Sequence, residues 1–253
     1  MKLALVGTGR MGQAVEAVAR ERGHEIVARF DHEHPLLDAH DPDVMNGAEV
    51  AVDFSVPDVA LDQLHRYCLW GVDAVVGTTG WASEEAKVRD WVEEGGNAIL
   101  AAPNFSLGVA VLRRALAAAL PLLDRLDEYD PSVHEAHHTG KLDSPSGTAL
   151  RLAEDVLAGL ARKSRLEVET VHGAIAPDAL HVTSVRTGHV FGEHTVSIDG
   201  PADRIILRHE AKDRRVFALG AVRAAEWLPG RAGFFSFDDM LDSWIGESGN
   251  RGI

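Results

Sequence analysis

The sequence predicts an α/β fold in two parts: a doubly wound parallel sheet, followed by a second α+β domain. Three observations carry that expectation. Over roughly the first hundred residues, short apolar runs alternate with stretches of helical periodicity, the pattern of a parallel sheet with helices on both faces. A glycine-rich turn joins the first run to the first helix. Beyond residue 165, strand-like runs follow one another with only turn residues between them, which implies an antiparallel or mixed sheet.

In order along the chain, Lys2–Val6 is the first apolar run, ending at Gly7. Gln13–Arg22 has helical spacing, with Ala14, Val15, Val18 and Ala19 apolar. Strands are predicted at Glu25–Phe30, Glu49–Phe54, Asp73–Thr79 and Asn97–Ala102, and helices at Asp58–Trp70 and Ser83–Glu94, the latter with Ser83 as N-cap. Ser106–Leu126 is a long Ala/Leu-rich helix that Pro121 should kink or break. After Pro131 come a strand, a polar loop and a helix from about Pro145 to Lys163. Strands are then expected at Leu166–His172, His181–Arg186, Val190–Asp199 and Arg204–Glu210, separated by Thr187-Gly188-His189 and Gly200-Pro201-Ala202-Asp203. A helix over Arg214–Trp227 ends before Pro229-Gly230.

Composition narrows the function. With 25 Lys plus Arg against 39 Asp plus Glu, the formal net charge is −14, which argues against a nucleic-acid binder. Anionic small ligands remain compatible, provided positive groups are concentrated locally. No stretch of eighteen apolar residues offers a membrane span. The apolar start of MKLALVGTGRMG is too short for a secretory signal. The single cysteine, Cys68, has no internal partner, which fits a cytoplasmic protein, and it reads as a small buried residue on a helix.

Gly7-Thr8-Gly9-Arg10-Met11-Gly12 is G-x-G-x-x-G between a predicted strand and helix, the context that makes this motif informative. The first glycine allows the tight turn, the second lets a pyrophosphate approach the backbone, and the third lets the helix pack close. The helix N-terminus offers free N–H groups to the phosphates. Asp31, nineteen residues beyond Gly12 at the end of the second strand, can accept both ribose hydroxyls of an adenosine and would repel a 2′-phosphate. Gly77-Thr78-Thr79-Gly80 and Ala102-Pro103-Asn104-Phe105 fall at carboxyl ends of strands in the same sheet, where open α/β sheets bind ligands. Together the loops suggest a bound dinucleotide in a Rossmann-type domain.

His134-Glu135-Ala136-His137-His138 matches H-E-x-x-H, the zinc-protease signature, which requires a helix. Asp130-Pro131 before it and Thr139-Gly140 after it leave no room for one. Ser132–His137 suits a strand, on which the two histidines lie too far apart. The match is therefore read as accidental. The stretch still gathers His137, His138 and Lys141, followed by Asp143-Ser144-Pro145-Ser146-Gly147-Thr148 opening a helix. Ser144 could cap it, and the N–H groups of Gly147 and Thr148 could face an anion. Histidine, lysine and a helix N-terminus make a carboxylate-binding loop that also carries acids.

These residues are recognisable as a set. GTGRMG at 7–12, DFS at 53–55, GTTG at 77–80, APNFSLGV at 102–109, EAHHTGKLDSPSGTAL at 135–150 and SVRTGHVFGEHT at 184–195 closely resemble, in order and across essentially the whole chain, the 4-hydroxy-tetrahydrodipicolinate (dihydrodipicolinate) reductase family. The resemblance implies a Rossmann domain over residues 1–106 and 216–253, and over 107–215 a mixed open-sheet domain that binds substrate and builds a homotetramer. It implies NAD(P)H-dependent reduction of a cyclic dicarboxylate in the diaminopimelate route of lysine biosynthesis, without a metal. His137 matches the family's catalytic histidine and Lys141 its catalytic lysine. His138, Gly147 and Thr148 match contacts to the substrate carboxylates. Gly7, Thr8, Gly9, Arg10, Met11, Gly12, Asp31, Gly77, Thr78, Thr79, Ala102, Pro103, Asn104 and Phe105 match cofactor contacts.

Two departures stand out. The first loop is one residue shorter than the G-x-x-G-R-M-G form common in the family. Asp31 is followed by His32, where many members have an arginine able to hold a 2′-phosphate, and this favours NADH; Arg10 and Arg29 are the residues left to serve NADPH. Two rival functions remain: a zinc hydrolase using His134, Glu135 and His138, and a non-catalytic dinucleotide-sensing module.

Overall fold

A computed structural model describes residues 1–248. The chain divides into two compact units, Met1–Ser106 with Arg214–Ile253, and Leu107–Asp213. Residues 249–253 of the nucleotide domain expected above lie outside the described residues.

In the first unit, strands β1 (Lys2–Val6), β2 (Glu25–Phe30), β3 (Val50–Asp53), β4 (Asp73–Val76), β5 (Ala98–Ala101) and β11 (Gly233–Ser236) form one sheet in the order β11-β5-β4-β3-β1-β2. Every pairing is parallel. Both faces are covered by helices, so β1 and β3 are apolar runs without alternation. The helices are α1 (Arg10–Glu21), α2 (Pro57–Trp70), α3 (Glu85–Gly95), α6 (Arg215–Trp227) and α7 (Phe237–Ser248). α1 buries Gly12, Val15, Val18 and Ala19 along one stripe. α2 starts on Pro57 and stops at Gly71 in the left-handed conformation, the preferred chemistry at each end. Leu36, Leu64, Tyr67, Val88 and Ile99 form much of the fully buried core. The strand order reverses between β1 and β3, and that switch point is where open α/β sheets place their ligands.

The second unit is a five-stranded sheet with two helices. Strands β6 (Asp130–His137), β7 (Arg165–Glu167), β8 (Ala179–Arg186), β9 (Glu193–Asp199) and β10 (Arg204–Glu210) lie in the order β10-β9-β6-β8-β7. β9 pairs antiparallel with β6 and β10, while β6–β8 and β7–β8 are parallel, so the sheet is mixed and has two free edges. Helices α4 (Leu107–Leu123) and α5 (Gly147–Gly159) cover one face, with Leu116, Leu120, Leu152 and Val156 packed over Val133, Leu180, Val182 and Val196. No helix among the described residues is long and apolar enough to cross a membrane.

Several boundaries differ from expectation for local reasons. Pro121 sits in the last turn of α4, so it ends the helix at Leu123 instead of kinking a longer one. Ser83 is no N-cap: Ala82–Glu84 is a 3₁₀ turn running into α3, whose capping position is Glu84. Ser144 does not cap α5. It precedes a cis peptide to Pro145, and Ser146 caps instead, its Oγ accepting the Ala149 N–H at 3.2 Å. β7 has three residues, since Gly173 and Pro177 belong to a long connection. The helix ending at Trp227 does not close the chain: β11 adds a sixth strand beside β5, and α7 follows. Four residues with intermediate burial gave too short a signal to predict β11.

Candidate active site

The nucleotide loops line the carboxyl edge of the first sheet. Gly7 has φ +88°, and a side chain there would collide with the Phe54 carbonyl at the neighbouring strand end. Gly12 packs its Cα against the Gly7 carbonyl, leaving no room for a Cβ. Around Gly9, the N-cap of α1, a Cβ would meet nothing within 4 Å, and no side chain caps the helix. The sheet edge thus presents an open helix N-terminus beside a backbone free to be approached, which fits a pyrophosphate. Thr8, Arg10 and Met11 belong to the same turn and first helical positions.

Asp31 follows β2 and is anchored. Its Oδ1 accepts the N–H groups of Glu33 (3.0 Å) and His34 (3.1 Å), and Thr8 Oγ1 donates to Oδ2 at 3.1 Å. The His34 N–H, foremost among these, holds the carboxyl below its ordinary pKa. Arg29 is engaged elsewhere: its guanidinium makes a two-pronged contact with Glu16, at 3.2 and 2.6 Å.

The loop after β4 is built on a buried acid. Asp53, at the end of β3, is fully buried. It accepts the Thr78 hydroxyl (3.0 Å), the Tyr67 hydroxyl (2.8 Å) and the Ser55 N–H (2.9 Å). Burial pushes its pKa up, against the pull of those donors. The Thr78 hydroxyl is therefore engaged inside the protein, which leaves Gly77 and Thr79 as the open part of the turn. Trp81 donates its indole N–H to the Thr78 carbonyl at 2.8 Å and steadies the same loop. After β5, Ala102, Pro103 and Asn104 lie on the edge, where the Asn104 side chain accepts the Ser106 N–H. The Phe105 ring is buried, edge-on to Phe54 and Phe237, and serves the core.

In the second unit, His134 to His137 of the H-E-x-x-H match end strand β6 and His138 follows it, so His134 and Glu135 point to opposite faces. His134 lies on the face away from the core and bonds Thr183 at 2.8 Å. Alternation and register build the other face row by row. Val133 sits between Val182 and Val196, Glu135 between Ser184 and His194, and His137 beside Arg186. An apolar row thus gives way to two polar rows at the end of the sheet where β6 enters the histidine loop.

Glu135 is fully buried. Its Oε1 takes Arg186 Nη2 at 2.8 Å and the Ser146 N–H at 3.3 Å, and its Oε2 meets His137 Nδ1. Burial alone would raise the Glu135 pKa; contacts from Arg186, Ser184 and His137 outweigh it and hold it low. Burial lowers the His137 pKa, Glu135 opposes that, and Lys141 and Arg186 add to it. His194 lies edge-on to His137 with ring centroids 5.1 Å apart and bonds Ser146 Oγ at 3.1 Å. Burial, with the neighbouring His137, pushes its pKa down to about 4.

Lys141 follows on the loop, its backbone N–H bonded to the His138 carbonyl and its Nζ 2.7 Å from Asp143 Oδ1. The Gly147 N–H, at the start of α5, also donates to the Asp143 carboxylate. Thr148 is the next residue of α5. The second unit therefore brings His137, His138, Lys141 and the α5 N-terminus into one short segment. Sequence reasoning assigned no role to Arg186, His194 or Ser146, and dismissed Glu135 with the zinc motif. The period-2 pattern of two strands in register was the signal that joins them.

Comparisons with known proteins identify a family. The family model described as dihydrodipicolinate reductase, N-terminus, matches residues 1–105, and that for the C-terminus matches residues 108–241. A relative in Christiangramia forsetii, named 4-hydroxy-tetrahydrodipicolinate reductase, is 36% identical over 241 residues, covering 95% of this chain and 98% of the relative. One of the same name in Archaeoglobus fulgidus is 35% identical over 262 residues, covering 96% and 100%. Among solved structures, a dipicolinate-bound dihydrodipicolinate reductase from Paenisporosarcina sp. TG-14 superposes with a TM-score of 0.76 at 23% identity, over 93% of this chain and 97% of that one, which shows a shared fold. With both family halves matched along nearly its whole length, the chain belongs to the dihydrodipicolinate reductase family and is a pyridine-nucleotide-dependent oxidoreductase.

Proposed function

We propose that this chain reduces 4-hydroxy-tetrahydrodipicolinate, which loses its hydroxyl as water to become dihydrodipicolinate, to tetrahydrodipicolinate in the diaminopimelate route to lysine, with His137 as general acid. The observation that carries the reading is a buried histidine paired with a carboxylate, next to a lysine and a helix N-terminus. A bound reduced nicotinamide supplies the hydride. As hydride arrives at the conjugated ring carbon, negative charge develops toward the imine. Lys141 stabilises that charge as a cation and keeps its proton, and His137 delivers the one proton that, with the hydride, completes the reduction. His138 and the Gly147 and Thr148 amides receive the substrate carboxylates. Two substrate carboxylates beside His137 favour its protonated form, offsetting the lowering by burial.

The nucleotide is held by Gly7, Thr8, Gly9, Arg10, Met11 and Gly12, by Asp31 at the adenosine ribose, and by Gly77, Thr79, Ala102, Pro103 and Asn104 on the rest of the sheet edge, where Thr78 and Phe105, their side chains turned inward, offer backbone alone. NADH is preferred over NADPH: the Asp31 carboxylate is fixed in place, and Arg29, bound to Glu16, is not offered to a 2′-phosphate. No metal ion takes part. Glu135, His137 and His194 have ligand atoms within 4.8 Å of one another, yet the Glu135 oxygens already have a guanidinium, an amide and an imidazole as partners. The enzyme works as a homotetramer in the cytoplasm. Val185 and Ile206 project, exposed, from the sheet face turned away from α4 and α5, apolar side chains suited to subunit contact.

The test is oxidation of NADH and of NADPH, read by absorbance, with substrate generated in place from pyruvate and aspartate semialdehyde by the preceding synthase. Substrate-dependent oxidation, faster with NADH, is expected. His137→Gln should lower kcat by about 10²-fold or more while the Kd for NADH stays within about twofold. A folded wild-type protein that binds NADH and turns nothing over would leave the sensing module standing; near wild-type turnover in His137→Gln would remove the histidine from the mechanism.

A further inference from the structure

Glu135 is the one fully buried carboxylate of the second unit among the described residues, and the proposed steps give it no task beyond its pairing with His137. A carboxylate taken out of water destabilises the fold unless its lone pairs are matched. Here both oxygens are matched, and the partners define a direction. Arg186 reaches Oε1 from the neighbouring strand, and the same guanidinium donates to the Asp143 carbonyl at 2.7 Å, tying the carboxylate to the histidine loop. The Ser146 N–H adds a second donor to Oε1. Oε2 is thereby left to His137 Nδ1.

An ionised carboxylate only accepts, so Nδ1 carries a hydrogen whether the ring is neutral or charged. The second proton of the imidazolium then resides on Nε2. That nitrogen is beside Gly192, where a Cβ would lie 3.1 Å from it; a glycine keeps that approach uncovered. His194, the aromatic neighbour of His137, contributes no competing positive charge at neutral pH, being buried and neutral.

We propose that Glu135, clamped by Arg186, is the positioning residue of this site: it holds the His137 ring with Nδ1 toward its own carboxylate and presents Nε2 as the nitrogen that gives up the proton. This rests on His137 being the general acid. In the step, the Nε2–H bond breaks, the proton goes to the substrate atom made electron-rich by hydride arrival, and the ring is left as the neutral Nδ1–H tautomer beside an unchanged carboxylate. The groups facing His137 are Glu135 on its own strand, Arg186 on β8, His194 on β9 and Lys141 on the following loop; His209 on β10 lies beyond His194. Of these Glu135 alone favours the protonated ring. Replacing it with the isosteric Gln removes that support, leaves Arg186 without its counter-charge beside the ring, and lets the amide offer either a donor or an acceptor to Nδ1.

The experiment titrates His137 by ¹⁵N NMR in histidine-labelled protein and measures kcat against pH for wild type, Glu135→Gln, and the double variant Glu135→Gln/Arg186→Met, which avoids a half-buried cation without its counter-charge. In wild type the neutral ring should be a single Nδ1–H tautomer. Glu135→Gln should lower the titration midpoint by about one unit or more, mix the tautomers, and move the high-pH limb of kcat down by the same amount, a loss of about tenfold at pH 7.5. The double variant should regain part of the midpoint shift, because the cation is gone, but not the single tautomer. An unmoved titration and tautomer in Glu135→Gln, with kcat reduced equally at every pH, would mean that Glu135 merely fills space and would overturn the proposal. Absence of turnover in wild type would count against the reductase reading instead, and the tautomer measurement would still decide the role of Glu135.

Discussion

Asp143 is a single carboxylate in a place that the substrate needs. It pairs with Lys141 Nζ at 2.7 Å and accepts the Gly147 N–H, two of the groups assigned to the substrate and its carboxylates. Lys141, before the other contacts, holds the Asp143 pKa below its ordinary value, so the carboxylate is ionised wherever the enzyme would work. A dicarboxylate binding here has to displace it. The pair is partly solvated, with the Asp143 side chain 58% exposed, and such pairs contribute no more than about 1 kcal/mol. Asp143→Asn should therefore lower KM for the cyclic dicarboxylate by at most about fivefold and leave KM for NADH unchanged. Steady-state kinetics with each ligand varied would check this; a raised dicarboxylate KM would mean that Asp143 orients Lys141 for the substrate and does not compete with it. His137, His138 and Lys141 were legible in sequence because they cluster within five residues. Glu135 was passed over together with the rejected H-E-x-x-H match, and only its place on the inner face of β6 brings it to His137.

At the scale of elements, Asp53 shows how one strand end organises its neighbours. Its carboxylate ties β3 to Tyr67 on α2 and to Thr78 in the loop after β4. None of these donors is a cation, so the acid holds the loop by hydrogen bonding in a site without water contact. Removing it would leave the Tyr67 and Thr78 hydroxyls buried without their acceptor, at about 1–3 kcal/mol each. Asp53→Ala should lower Tm by several degrees and weaken NADH binding several-fold through a loosened Thr78 turn. Asp53→Asn, which keeps an acceptor, should do much less. Calorimetry and fluorescence titration with NADH would read both, and equal NADH affinity in Asp53→Ala would show that the turn needs no such anchor. The glycine loop and five of the six strands of this sheet were visible in sequence because turn chemistry and buried apolar runs are local signals. β11 was not, because it is held by pairing with β5 from more than a hundred residues away.

Over the whole molecule, acid should act in two opposed ways. The chain carries a formal net charge of −14, so protonating carboxylates relieves self-repulsion and favours the compact state. Buried histidines work against it. His194 has a folded pKa of about 4 against an ordinary 6.5, because burial excludes its charged form. Above pH 6.5 the ring is neutral in both states and favours neither. Between 6.5 and 4 the unfolded chain takes up a proton that the folded chain refuses, so stability falls as pH falls, and below 4 the loss is complete at about 3 kcal/mol. This loss comes first, since the surface carboxylates titrate mainly near the lower end of the window. His194→Gln cannot charge and keeps a donor and an acceptor for Ser146, the cap of α5. The variant should therefore be no more stable than wild type at pH 7, yet lose distinctly less of its stability between pH 7 and pH 4.5. Urea unfolding at both pH values measures that difference. Equal losses in the two proteins would mean that His194 can be solvated and charged within the folded sheet, and that its hydrogen bond to Ser146 does not depend on a neutral ring.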